Sequence, residues 1–144
     1  MKSFLIVSLF MTLISCQSQN SPENVLSSFV KQNFAGKLSK SDLSDMTTGK
    51  LKAYIDELSD EELDAYLSLE NNKYNKLKIL HKACEAEKCF LTYTINYSTT
   101  QDDKKTFETD TKKIAEIVLE NKLWKISNIE HIKTYHDAKE EIRP

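Results

Sequence analysis

Apolar residues recur along this chain with one period as far as residue 67 and with another from residue 76 onward. Within 22–34, Val25, Leu26, Phe29, Val30 and Phe34 fall three or four positions apart, the spacing that lines one face of an α-helix. Ser21-Pro22-Glu23 reads as its start. The serine can accept from free N–H groups, proline lacks only a donor that the first turn does not use, and the acid faces the positive end of the dipole. Gly36 is placed to end the helix. A second helical stretch is predicted over 41–58, broken near Thr47-Thr48-Gly49, with Leu43, Met46, Leu51, Tyr54, Ile55 and Leu58 on its apolar face. Ser59-Asp60-Glu61-Glu62 matches a capping box and opens a third helix carrying Leu63, Tyr66 and Leu67, which Asn71-Asn72 terminates.

The period then falls to two, the mark of a half-buried strand. In 76–83, Leu77, Ile79 and Ala83 alternate with lysines, and His81 shares their alternation. In 89–97, Cys89, Leu91, Tyr93, Ile95 and Tyr97 alternate with Phe90, Thr92, Thr94 and Asn96. Residues 98–105 read as a polar loop and 107–119 as a third strand. A tight turn at Asn121-Lys122 leads to a fourth strand, 123–134, with Trp124 and Ile126 on its inner face. Helices followed by strands spell an α+β fold: N-terminal helices packed on one face of a curved four-stranded antiparallel sheet. That domain spans 22–136, with 137–144 as a C-terminal tail.

Residues 1–21 follow neither period. Lys2 precedes the apolar run "FLIVSLFMTLI", which ends at Leu13-Ile14-Ser15-Cys16 and turns polar. The run fits a secretory signal and falls short of the about 20 residues a membrane span needs. Leu13-Ile14-Ser15-Cys16 resembles the lipobox of bacterial lipoproteins. The resemblance implies cleavage of a signal peptide at 1–15, acylation of Cys16 (diacylglycerol on sulfur, with a further chain such as palmitate on the new N-terminus), and a short tether over 16–21. The other reading is an ordinary secretory signal with a chance cysteine. Gln17 stands where an aspartate commonly retains such proteins in the inner membrane, which points to the outer membrane if the envelope is Gram-negative.

Charge adds an exclusion. Twenty basic against 22 acidic side chains give a net charge of −2, with no Arg-rich or Lys-rich patch, so nucleic acid is not an expected partner. Of three cysteines, Cys16 is taken by lipid, leaving Cys84 and Cys89 as an even pair outside the cytoplasm. They flank Glu85-Ala86-Glu87-Lys88, and a four-residue hairpin loop would set them opposite one another for a disulfide. A free thiol pair or half a metal site are the alternatives, and no second CxxC or His-Cys spacing completes a zinc set.

The element order, with "SDEELDAYLSL" before the sheet and "IAEIVLENKLWKISNI" near its end, resembles the nuclear-transport-factor-2-like α+β cone. It is similar in particular to small bacterial lipoproteins of that superfamily with unassigned function. The hairpin "VLENKLWKI" carries Asn121-Lys122 where such proteins usually place glycine. The resemblance implies a conical pocket in which some members isomerise or dehydrate small molecules while many only bind or assemble. Enzymatic members pair a pocket acid or histidine with an oxyanion donor such as tyrosine. The residues that could serve are Tyr54, Tyr66, His81, Tyr93, Tyr97 and Asp110; no catalytic residue is assigned among them.

His131 and His136 lie five apart, which on a regular strand puts them on opposite faces and argues against a shared metal. Asp56, Glu57, Asp60, Glu61, Glu62 and Asp64 lack the alternation and glycine of a calcium loop and read as a solvated helical face. Lys73, Lys76, Lys78 and Lys82 give the next segment the opposite sign. The expectation is a lipid-anchored, non-enzymatic binding or assembly domain of the cell envelope, without cofactor or metal. Its partners are the membrane through its anchor, and an envelope protein or small ligand. A pocket isomerase or dehydratase, or a carrier of hydrophobic ligands, are the alternatives.

Overall fold

The computed structural model describes residues 20–69, 71–101 and 104–138. The signal peptide, Cys16, most of the tether and most of the C-terminal tail lie outside the described residues. The four helices are α1 (Pro22–Phe34), α2 (Lys40–Met46), α3 (Gly49–Glu57) and α4 (Asp60–Leu67). Four strands follow: β1 (Asn72–Glu85), β2 (Lys88–Gln101), β3 (Lys104–Glu120) and β4 (Leu123–Ala138). The strands form one antiparallel sheet in the order β1-β2-β3-β4, open and curled, with the helices on one face. The fold is α+β.

Helix ends obey local chemistry. The Ser21 hydroxyl accepts from the Asn24 N–H at 3.2 Å, and Pro22 occupies the first turn. Gly36, at φ +61°, lets the Lys37 N–H return to the Gln32 carbonyl at 3.0 Å, closing α1. Ser39 with Asp42 and Ser59 with Glu62 form reciprocal capping boxes on α2 and α4. The break at Thr47-Thr48 has a tertiary cause. Thr47 pairs in parallel with Ile126, and the Thr48 N–H donates to the Ile126 carbonyl at 2.9 Å, so the linker covers part of the free edge of β4. Gly49 must stay small there: its φ is +55°, and a Cβ would lie 3.3 Å from Ser127 Cβ.

The core lies between the helices and the inner face of the sheet. Leu26, Phe29 and Val30 of α1, with Leu43, Ile55 and Leu63 of the other helices, meet Leu91, Tyr93, Ile95, Ala115, Ile117 and Ile126. Trp124 is half-buried on the same side, and its backbone N–H donates to the Asn20 side chain at 3.2 Å. The Asn20 amide also donates to the Lys122 carbonyl at 2.6 Å, which straps the start of the domain to the β3–β4 turn. That turn uses positive φ at both Asn121 (52°) and Lys122 (66°), the geometry of a two-residue hairpin connection.

Three expectations are corrected. The stretch 98–105 is mainly strand: β2 continues to Gln101 and β3 begins at Lys104, with Thr99 opposite Phe107. The loop between Cys84 and Cys89 is shorter than four residues, because Glu85 and Lys88 pair and only Ala86-Glu87 turns. Cys84 and Cys89 face one another with Cα atoms 4.0 Å apart and Sγ atoms 2.07 Å apart.

The third correction is the most consequential. Each edge strand carries two β-bulges, at Asn75 and Leu80 in β1 and at Ser127 and Ile132 in β4, where the register slips by one residue. One extra residue turns every later side chain to the other face. Beyond Leu80, His81 pairs with Thr92 and Ala83 with Phe90, both on the outer face, while Lys82 turns inward beside Leu91 and forms an ion pair with Glu23 of α1. Beyond Ile132, His136 returns to the inner face that His131 also occupies, opposite Thr109 and Lys113.

Candidate functional site

β2 supplies Tyr93, Ile95 and Tyr97 to the inner face; β3 supplies Lys113, Thr111 and Thr109 directly opposite them. Above these rungs the helical layer thins, because α1 ends at Phe34 and α4 at Leu67. A cavity of about 190 Å³ remains there, closed by the C-terminal half of α1, by Tyr66 of α4 and by the sheet. Phe29, Val30, Phe34, Ile95 and Ile129 make its apolar wall. Asn33, Tyr66, Tyr93, Thr111 and Lys113 make its polar one. A second hollow of about 280 Å³ lies on the α3 side and shares Tyr66, Lys113 and Ile129 with the first. It adds Lys50, Tyr54 and His131. A wider hollow, about 730 Å³, is an open groove outside the α1 and α4 C-termini, and among the described residues Asp64 is the only charged side chain lining it.

Lys113 divides the two inner hollows. Burial pushes its ammonium pKa down from 10.5, and no neighbouring charge offsets that effect. Among the described residues it makes no hydrogen bond or ion pair. The Tyr93 phenol is pushed up from 10.0 by burial first and then by the phenol of Tyr66. Tyr66 is raised by burial and then by Tyr54, whose ring it meets edge-on at 5.8 Å. Neither the Tyr66 nor the Tyr93 hydroxyl is hydrogen-bonded among the described residues. Asn33 Oδ1 is buried without a partner among them. Of these atoms only Asn33 Oδ1 is fully buried; the ammonium and the two hydroxyls open on the hollow, where water or a ligand can meet them.

Toward the far end of the inner face the polar groups satisfy one another. His131 Nε2 lies 2.6 Å from Thr134 Oγ1, which lies 3.4 Å from Thr111 Oγ1. His136 Nδ1 lies 3.0 Å from Thr109 Oγ1, with its ring edge-on to Phe107. No group of three or more His, Cys, Asp or Glu among the described residues is placed to hold a metal ion.

The residues singled out from sequence therefore divide. Tyr66, Tyr93 and Tyr97 line the cavity, and Tyr54, half-exposed, lines the adjoining hollow. His81 and Asp110 belong to neither. His81 is turned outward by the Leu80 bulge, and Asp110 pairs with Asn96 on the outer face, accepting from its amide at 3.2 Å. Lys113, Asn33, Thr111 and His131 were not foreseen there.

No protein-family model and no curated protein matches this chain. Among solved structures it is similar to a SEC-C motif containing protein from Rhodopseudomonas palustris, solved in solution. The TM-score is 0.59 at 12% sequence identity, over 78% of this chain and 80% of that chain. At that identity the likeness is one of fold.

Proposed function

We propose that this chain is a lipid-anchored cell-envelope protein, held at the membrane through Cys16, whose cone-like α+β domain binds a small ligand in the cavity without transforming it. The observation that supports binding is a partly open cavity where apolar walls meet Lys113, Tyr66, Tyr93 and Asn33, whose polar atoms lack partners among the described residues. A non-enzymatic role is favoured because the described residues of the wall include no carboxylate, cysteine or serine to act as base or nucleophile. Of the groups an isomerase or dehydratase would draw on, His81 and Asp110 face away, and His131 is exposed and held by Thr134. A carrier of long acyl chains would need more room, since sites for drug-sized ligands occupy about 300–1,000 Å³.

The anchor rests on the sequence Leu13-Ile14-Ser15-Cys16. Asn20, four residues on, is already bonded to the β3–β4 turn, so the reach from Cys16 is at most about 14 Å, at 3.3–3.6 Å per residue. Such a tether keeps the domain beside its own membrane. An outer-membrane location applies if the envelope is Gram-negative. No helix among the described residues is long and apolar enough to cross a membrane.

Native mass spectrometry of the mature protein, extracted from its own envelope, tests both parts. The expected result is a chain starting at acylated Cys16 that carries a small molecule in stoichiometric amount. A chain starting elsewhere without acyl groups would overturn the anchor, and conversion of the released molecule by the protein would overturn the non-enzymatic reading.

A further inference from the structure

We infer that the cavity is an anion site: Lys113 takes the carboxylate of a small acid with an apolar, short-chain or aromatic body, and the hydroxyls of Tyr66 and Tyr93 donate to the same group. This rests on the binding reading above and names its ligand class.

Charge comes first. Among the described residues no acidic side chain lines the cavity or the hollow that adjoins it. The ionisable groups there, among the described residues, are Lys50, Lys113, His131 and four tyrosines. A half-buried ammonium facing a hollow is stabilised by an opposite charge, and with none from the described residues an anionic occupant is the one this site favours. Donors come second. An ammonium offers three N–H groups and each phenol one O–H, a set suited to an acceptor-only group such as a carboxylate. Burial holds both phenols in the protonated, donating form.

The remaining wall selects the body of the ligand. Phe29, Val30, Phe34 and Ile95 surround the polar end with apolar surface. At about 190 Å³ the cavity holds roughly six waters' worth of volume, at about 30 Å³ each. A ring or short branched chain bearing one carboxylate fills that space. Inorganic phosphate would leave the apolar wall wet and bring a second charge that no other cation on the cavity wall answers.

Isothermal titration of the mature acylated protein in phospholipid nanodiscs tests this, with benzoate, benzyl alcohol and inorganic phosphate as probes. Benzoate is expected to bind about tenfold or more tighter than benzyl alcohol, a preference that collapses to about one in Lys113→Met. Tyr93→Phe should weaken benzoate alone, by about threefold to tenfold. If benzoate and benzyl alcohol bind equally to the unmodified protein, the anion site is wrong while the cavity still binds. Phosphate binding tighter than benzoate overturns the carboxylate class. If no probe binds at millimolar concentration, the binding reading falls with it. Thermal unfolding of each variant separates loss of the site from loss of the fold.

Discussion

Replacing Lys113 by methionine removes a half-buried cation and keeps most of its stem. Lys113 stands between Tyr93 and His131 on neighbouring strands, and no carboxylate among the described residues answers it. Its native pKa is lowered from 10.5, with burial as the cause. Between that lowered value and 10.5 the unfolded chain holds more protons than the native one, so stability rises with pH through that window. Below the window both states are charged, and the native state bears the full desolvation penalty. Exchanging buried charges for apolar side chains of similar volume is often neutral or stabilising, by about 1–4 kcal/mol. Lys113 borders two hollows and is not sealed, which argues for the low end, about 1–2 kcal/mol at neutral pH. A domain of this size moves in Tm by about 3–6 °C per kcal/mol. Thermal unfolding of ligand-free protein and Lys113→Met, followed by circular dichroism from neutral pH upward, should show the variant more stable. Its advantage should shrink as pH rises through the lowered lysine pKa towards 10.5. Tyr66 and Tyr93, raised above 10.0, destabilise both proteins once the unfolded phenols ionise near 10.0, and cancel in the difference. A variant less stable than the parent at neutral pH, or a difference independent of pH, would refute the claim that this ammonium is unanswered.

Four further outcomes are expected. Ile126→Ala empties a fully buried position between Ile117 and Thr47 and should cost about 2–5 kcal/mol by urea titration; a loss under about 1 kcal/mol would mean the linker does not seat on β4. Trp124→Ala strips a half-buried ring packed beside Val25 and Met46 and should cost about 3 kcal/mol, from roughly half of a 250 Å² side chain at about 25 cal/mol per Å²; fluorescence of a fully water-exposed indole would contradict that packing. Lys122→Gly relieves a left-handed backbone at φ 66° and should stabilise by about 0.5–1 kcal/mol, read as a higher Tm; a lower Tm would count against the turn geometry. Non-reducing peptide mapping should link Cys84 to Cys89, and replacing both with serine should cost about 2 kcal/mol for so short a loop; a free thiol at either position would remove the bond from the account.

The helical half of the fold was legible because its signals are local. Ser21-Pro22, Gly36 and the Ser59–Glu62 box each act within one turn, and each falls where its chemistry requires. The break at Thr47-Thr48-Gly49 was visible as weak helix chemistry, but its cause was not, since the linker pairs with Ile126 nearly eighty residues later. Strand existence was legible from alternation and strand length was not. Polar residues such as Ser98, Thr99 and Thr100 read as loop, yet ladder hydrogen bonds across β2 and β3 use the backbone, and Ser98 and Thr109 are buried despite their polarity.

The site was half legible, and the two failures have different causes. His81 could not have been excluded from sequence: its place in the alternation of Leu77 and Ile79 is real until the Leu80 bulge inverts it, and nothing in "KILHK" announces that bulge. The same blindness put His131 and His136 on opposite faces, because the extra residue Ile132 restores them to one. Asp110 is another matter. β3 runs without a bulge against β2 from Phe107 to Val118, so counting back by twos from the buried Ile117 gives Ala115, Lys113, Thr111 and Thr109 on the inner face and sends Asp110 outward. Searching for familiar catalytic residue types led to Asp110; following the alternation would have led to Lys113. A charged residue at an inward position of a regular strand, flanked along that face by alanine and threonine, is costly without a partner. It therefore points to a counter-charge from elsewhere, and here the inner wall leaves that counter-charge to a ligand.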